Sequence, residues 1–190
     1  MTTSEILTAL DRASSAVGDL IDSIPADGWA APTPCTEWSV QDVVRHLVGM
    51  NVVFTAMLDG SPMPERGPDR LGADPAGAYR RSAAALQAAA ALPGALQRSV
   101  ETPLGAATGV ERLRWRVADL LTHGWDLGQA TALAVELPDE LVEPSLAFVR
   151  AQLPGQPRSG RFDEPQPVPD GAPAIDRLAA LTGRPVPWPR

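Results

Sequence analysis

Nine of the chain's 20 prolines fall between Pro154 and Pro189. Proline at that density excludes long helices and sheet interiors, so regular structure is expected mainly in residues 1–153. Within that part, apolar residues at Ile6, Leu7, Leu10, Ala13, Val17, Leu20, Ile21 and Ile24 recur at helical spacing behind a candidate cap at Ser4, and Pro25 ends the run. A loop from Ala26 to Ser39 carries Trp29, Pro32, Pro34, Cys35 and Trp38. Ser39-Val40-Gln41-Asp42 then has the form of a capping box with Asp in place of Glu or Gln, opening a second helix over about Val40 to Leu58.

After a Pro- and Gly-rich connection from Gly60 to Gly72, Asp74-Pro75 supplies a cap and first helical position for an alanine-rich helix to about Leu92, stopped by Pro93-Gly94. Arg98 to Leu104 supports no more than a short local strand. Thr108-Gly109-Val110-Glu111 is another capping box, predicting a helix to about Ala130, and Pro138-Asp139 starts a fifth helix to about Leu153. Only Ile175 to Leu181 reads as helical in the tail. Its residues Phe162, Val168, Ile175, Leu178, Leu181 and Trp188 are apolar enough to predict that residues 154–190 pack across the helical part as one domain with it. The tail is also a candidate surface for a homodimer contact.

Chemistry concentrates in the fourth helix. Asp119 and His123 are four residues apart and so share one face, about 5–6 Å apart at their Cβ atoms. The other histidine, His46, shares a face of the second helix with Val43, Gly49, Met50, Val53 and Met57, which predicts that it points to the core. Three such groups can grip one ion and leave a fourth position for water or substrate, the catalytic arrangement for zinc. Mixed imidazole and carboxylate ligation equally suits nickel, iron or manganese. The bland alternatives are a hydrogen-bonded core histidine and a surface pairing of Asp119 with Arg116 or Arg112. Asp126 is a candidate acceptor that orients His123, or a helix-end contact.

Composition narrows the classes of partner. A formal charge of −7 without basic clusters argues against nucleic acid and anionic membranes. The apolar runs are too short to span a bilayer, and residues 1–5 do not begin a leader, so the chain reads as cytoplasmic. There is no lysine and no glycine-rich phosphate loop, which disfavours nucleotide chemistry. The single cysteine, Cys35, reads as a small buried hydrophobe because no base lies near it in sequence. Trp29, Trp38, Trp115 and Trp125 are core residues or pocket walls.

The run Thr33-Pro34-Cys35-Thr36-Glu37-Trp38-Ser39 leading into Asp42-Val43-Val44-Arg45-His46-Leu47-Val48-Gly49 is distinctive. With His123-Gly124-Trp125-Asp126-Leu127 and the ending Asp176-Arg177-Leu178 and Gly183-Arg184, it resembles the DinB/YfiT-like metal-binding superfamily. It is most similar there to actinobacterial relatives of the N-terminal domain of mycothiol-dependent maleylpyruvate isomerase. The resemblance implies an all-α, DinB-like four-helix bundle, with the proline-rich extension packed on it, and a divalent metal held by His46, Asp119 and His123. The isomerase pattern has Glu where this chain has Asp119, and a second domain where this chain has its tail.

Three functions need the same tripod. One is a mycothiol-dependent S-transferase or isomerase, in which the metal activates a small thiol toward an electrophile. Another is a metal-dependent hydrolase, and the third is a non-catalytic metal- or small-ligand-binding protein.

Overall fold

The four long helices begin where a side chain caps them. A computed structural model describes residues 1–65, 67, 69–102, 105–155 and 162–189. In α1 (Thr3–Asp22) the cap is Thr2, not Ser4. Thr2 Oγ1 accepts the Glu5 N–H and the Glu5 carboxylate accepts the Thr2 N–H, because only that offset gives a reciprocal box. The expected box at Ser39 opens α2 (Val40–Asp59), where the shorter Asp42 side chain still reaches the Ser39 N–H at 3.1 Å. Asp74 caps α3 (Pro75–Ala90), and Leu92, expected inside it, lies beyond in a tight turn back to the Ala89 carbonyl. Thr108 and Glu111 box the start of α4 (Gly109–Thr131).

Leucines and valines at helical spacing pack α1 on α4 and α2 on α3, with α1–α3 and α2–α4 contacts closing a four-helix bundle. Leu10, Val17, Leu47, Leu58, Leu86, Leu113, Leu120 and Leu121 are all 0% exposed. Fully burying such side chains contributes roughly 1.5–3 kcal/mol each before entropy is counted. Gly109 lets α4 start against the preceding chain. A Cβ there would meet the Ala95 carbonyl oxygen at 2.5 Å and Leu96 Cα at 2.7 Å, both backbone atoms that cannot swing aside. Gly109→Ala is therefore expected to destabilise the fold by about 1–3 kcal/mol, read from the shift in urea midpoint.

The segment expected as one local strand is half of a hairpin. β1 (Ser99–Thr102) pairs antiparallel with β2 (Gly105–Thr108) in the register Ser99 to Thr108 and Thr102 to Gly105. Pro103 and Leu104, part of the expected strand, lie outside the described residues. The second strand, Gly-Ala-Ala-Thr, has only one residue type favoured in sheets, so its pairing is set by its neighbour and not by local preference.

Beyond the bundle, α5 (Asp139–Gln152) lies on α4 and leads into a 3-10 turn at Leu153–Gly155. In the tail, α6 (Ala174–Leu181) packs on α5 and α4 and fully buries Leu178. Trp125 Nε1 of α4 donates to Asp176 Oδ1 of α6 at 2.8 Å, and Phe162 lies 6.2 Å from the Trp115 ring. Residues 156–161 of the expected tail lie outside the described residues. Among the described residues, no helix is long and apolar enough to cross a membrane.

Candidate metal centre

Helix α2 delivers His46 and α4 delivers Asp119 and His123 to one point. His46 Nε2 lies 3.1 Å from Asp119 Oδ1, and His123 Nε2 lies 3.5 Å from the same oxygen. One ligand atom from each of the three lies within 4.8 Å of the others. A tetrahedral ion with bonds near 2.0–2.1 Å separates its ligand atoms by roughly 3.3 Å, so both measured spacings fit one small divalent ion. His46 does not sit in the core as its apolar helix face predicts. Its side chain remains 25% exposed and that of Asp119 28% exposed, whereas that of His123 is 7% exposed. The cluster thus has a buried floor and an open side.

The carboxylate is held from behind. Asp119 Oδ2 accepts a hydrogen bond from Arg116 Nη1, which turns Oδ1 toward the two imidazoles. Arg116 is itself 0% exposed. Its Nε and Nη2 donate to Asn51 Oδ1 at 3.1 and 2.6 Å, and Nη2 also donates to the Leu47 carbonyl at 2.9 Å. Leu47 adjoins His46, so one guanidinium fastens α4 to α2 at the histidine's own turn. Burial opposes ionisation of Asp119, but His46 and Arg116 outweigh it and hold its carboxyl well below the usual carboxylate range.

His123 is fixed from its other nitrogen. Nδ1 lies 2.9 Å from Asp126 Oδ2. Asp126 is 0% exposed, and Arg184 from the tail donates to it through Nε at 3.2 Å and Nη2 at 2.9 Å. Although burial favours the neutral acid, Arg184 and His123 bring the Asp126 carboxyl below its ordinary range, so it accepts and Nδ1 carries the proton. Burial likewise keeps His123 below the usual imidazole range, against the pull of Asp126 and Asp119. In this tautomer the bare Nε2 lone pair faces Asp119 Oδ1 at 3.5 Å, an arrangement that a shared cation would stabilise.

Trp38 walls the cluster, its ring centroid 5.0 Å from that of His46 and 5.8 Å, stacked, from that of His123. The loop that presents it is tied by the Thr33 N–H to the Trp38 carbonyl at 3.0 Å and the Trp38 N–H to the Cys35 carbonyl at 3.0 Å. It turns at Glu37, whose φ of 68° is a left-handed conformation that non-glycine residues adopt only at a cost. Three of the others that the sequence singles out serve elsewhere: Trp29 packs against the core, Trp115 packs on Phe148 and Trp125 donates to Asp176.

Cys35 lies where no sequence spacing would put it, with its sulfur among ligand atoms of His123 and Asp126 all within 4.8 Å of one another. Arg184 already supplies a positive charge beside Asp126 there, and burial pushes the Cys35 thiol up to about 11, so it stays a thiol at neutral pH. The parts that sequence reading missed are Asn51, which anchors Arg116, and the link from Arg184 to Asp126; the pairing of Asp119 with Arg116, read from sequence as an alternative to ligation, is present together with the His46 and His123 contacts. Of these side chains' partners, only Arg116 left a local signal, as a charged residue three positions before Asp119 on one helix face.

The helical bundle has an all-α, DinB-like fold. Residues 10–128 match the family model for the mycothiol maleylpyruvate isomerase N-terminal domain, and the chain belongs to that family. It is 35% identical over 186 residues to two Mycobacterium tuberculosis proteins, uncharacterised protein MT0763 of strain CDC 1551 / Oshkosh and uncharacterised protein Rv0738 of strain H37Rv. Each match covers 95% of this chain and 98% of the relative. Among solved structures it shares its fold with the mycothiol-dependent maleylpyruvate isomerase, with a TM-score of 0.59 at 17% identity over 77% of this chain and 68% of that one. A histidine-to-alanine mutant of the isomerase matches over the same shares at the same identity, with a TM-score of 0.61.

Proposed function

We propose that this protein holds one divalent ion, most simply zinc, on His46, Asp119 and His123, and uses it with mycothiol or a similar small thiol as an S-transferase or isomerase acting on an electrophile. The observation that carries the reading is the approach of both Nε2 atoms to Asp119 Oδ1, at 3.1 and 3.5 Å, on the open side of a buried cluster. Family membership supports the thiol as the partner.

A divalent ion held by His46, Asp119 and His123 would supply Lewis acidity, which favours ionisation of a small thiol near neutral pH. The chain's residues do the rest. Asp126 keeps the His123 proton on Nδ1, leaving Nε2 to bind. Arg116 holds Asp119 ionised and aimed. The Trp38 face excludes water from one side of the cluster, and Cys35, held as a neutral thiol, does not compete as an intramolecular nucleophile. A hydrolase would use the same tripod, but the family match gives that reading no support.

Calorimetry of mycothiol against metal-loaded wild type and His123→Ala, followed by an assay of conjugation to a generic electrophile, tests the proposal. Saturable thiol binding by wild type and its loss in the variant are expected. Equal binding by both proteins would remove the thiol reading. Metal affinity should also be level above about pH 6.5 and decline below it, since ligation requires neutral imidazoles. Because burial lowers the His123 value, proton competition at that residue sets in below the ordinary imidazole range. Competition titrations with a chelator across pH check this, and affinity independent of acid would contradict histidine ligation.

A further inference from the structure

We infer that the C-terminal segment completes the centre, with Arg184 a positioning residue that acts through Asp126 on His123; the inference rests on the proposed metal reading. Asp126 has two oxygens and both are committed. Arg184 Nε donates to Oδ1 at 3.2 Å and Nη2 to Oδ2 at 2.9 Å, and Oδ2 also accepts from His123 Nδ1 at 2.9 Å. A guanidinium engaging both oxygens fixes the plane of the carboxylate, which a single hydrogen bond does not. The carboxylate plane in turn fixes the imidazole's rotation and its tautomer, and therefore where Nε2 points.

Arg184 is held for this role from its own side. Its backbone N–H donates to the Ala179 carbonyl at 3.0 Å and that of Gly183 to the Ala180 carbonyl at 3.0 Å, so α6 ends in a turn that sets the arginine's origin. Gly183 has φ of 102°, and a Cβ there would lie 2.5 Å from Asp163 Cβ and 2.9 Å from Asp163 Cα, so glycine is required at that position. Arg184 Nη1 donates to the Thr182 carbonyl at 3.1 Å, and the residue is 7% exposed. Nothing in this arrangement leaves the guanidinium facing solvent. Its reach is spent on Asp126, 58 residues away in sequence and three residues after His123 on α4.

The experiment compares wild type, Arg184→Met, Arg184→Lys and Asp126→Asn, with Trp125→Phe as a control that cuts a different polar contact between α4 and the tail, the one to Asp176. Two readouts are taken: ring 15N shifts of His123 in metal-free protein, and zinc affinity by chelator competition. Wild type and Trp125→Phe are expected to show a single His123 species protonated at Nδ1. Arg184→Met is expected to show a mixture of tautomers and a zinc affinity lower by about 10- to 100-fold, the range for groups that orient metal-binding histidines. Arg184→Lys, one cation without the paired donors, should fall between. Arg184→Met and Arg184→Lys both keeping the single Nδ1-protonated species and wild-type affinity would overturn the inference. If Arg184→Met does not fold, Arg184→Lys and Asp126→Asn carry the test by the same shifts. Loss of the metal reading itself would appear separately, as zinc affinity unchanged in His46→Ala and His123→Ala, and the ring shifts would still judge the link from Arg184.

Discussion

Replacing Arg116 with methionine is expected to destabilise the protein by about 3–5 kcal/mol, the cost of removing one partner of a buried ionic network. Methionine fills much of the space but donates nothing. Asn51 Oδ1 would lose two donors and the Leu47 carbonyl one, with Asn51 itself 0% exposed. Asp119 would keep its charge beside the histidines without the guanidinium that compensates it. Against a total stability of about 5–15 kcal/mol for a domain of this kind, the loss should be plain as a lowered urea midpoint at unchanged slope. A midpoint within measurement error of wild type would mean the network contributes orientation only. Since Arg116 also aims Asp119, the variant should bind metal more weakly even at temperatures where it remains folded.

Removing residues 162–190 is expected to cost at least as much. Leu178 is fully buried between helices, and truncating one such leucine to alanine costs about 2–5 kcal/mol. The deletion also leaves Asp126 buried without Arg184, a carboxylate desolvated with only His123 for a partner. From composition alone the tail has no His or Cys and should be separable from the metal site, so that stability falls and metal stays. The Arg184 contact reverses that expectation: melting temperature and metal affinity should fall together. A truncated protein that melts like the full chain would show that α6 adds nothing to the fold.

What was legible in the sequence was local. The capping boxes at Ser39 and Thr108, the Asp74-Pro75 start and the apolar spacing between them placed α2, α3 and α4 within a residue or two, because each signal is carried by side chains that meet within one turn. The same locality paired Asp119 with His123, and the resemblance supplied His46 from the facing helix. Orientation was harder. His46 has apolar neighbours on its own helix face, yet it lies at the open edge of the bundle, where Trp38 covers it on one side and part of it stays exposed, which no spacing within α2 can report. The short strand β2 depends on its partner, and the Ser4 cap lost to Thr2 because a box needs both halves. Cys35 and Arg184 reach His123 and Asp126 only once the loop after α1 and the tail after α5 have folded back onto α4, so their part in the centre is tertiary throughout.

The central claim is that His46, Asp119 and His123 form one metal centre. The most direct measurement is elemental analysis of purified wild type, His46→Ala and His123→Ala, with circular dichroism confirming that each is folded. About one divalent ion per wild-type chain and little in either folded variant is the predicted result, since two remaining ligands cannot close the tripod. Equal metal content in all three proteins would contradict the account.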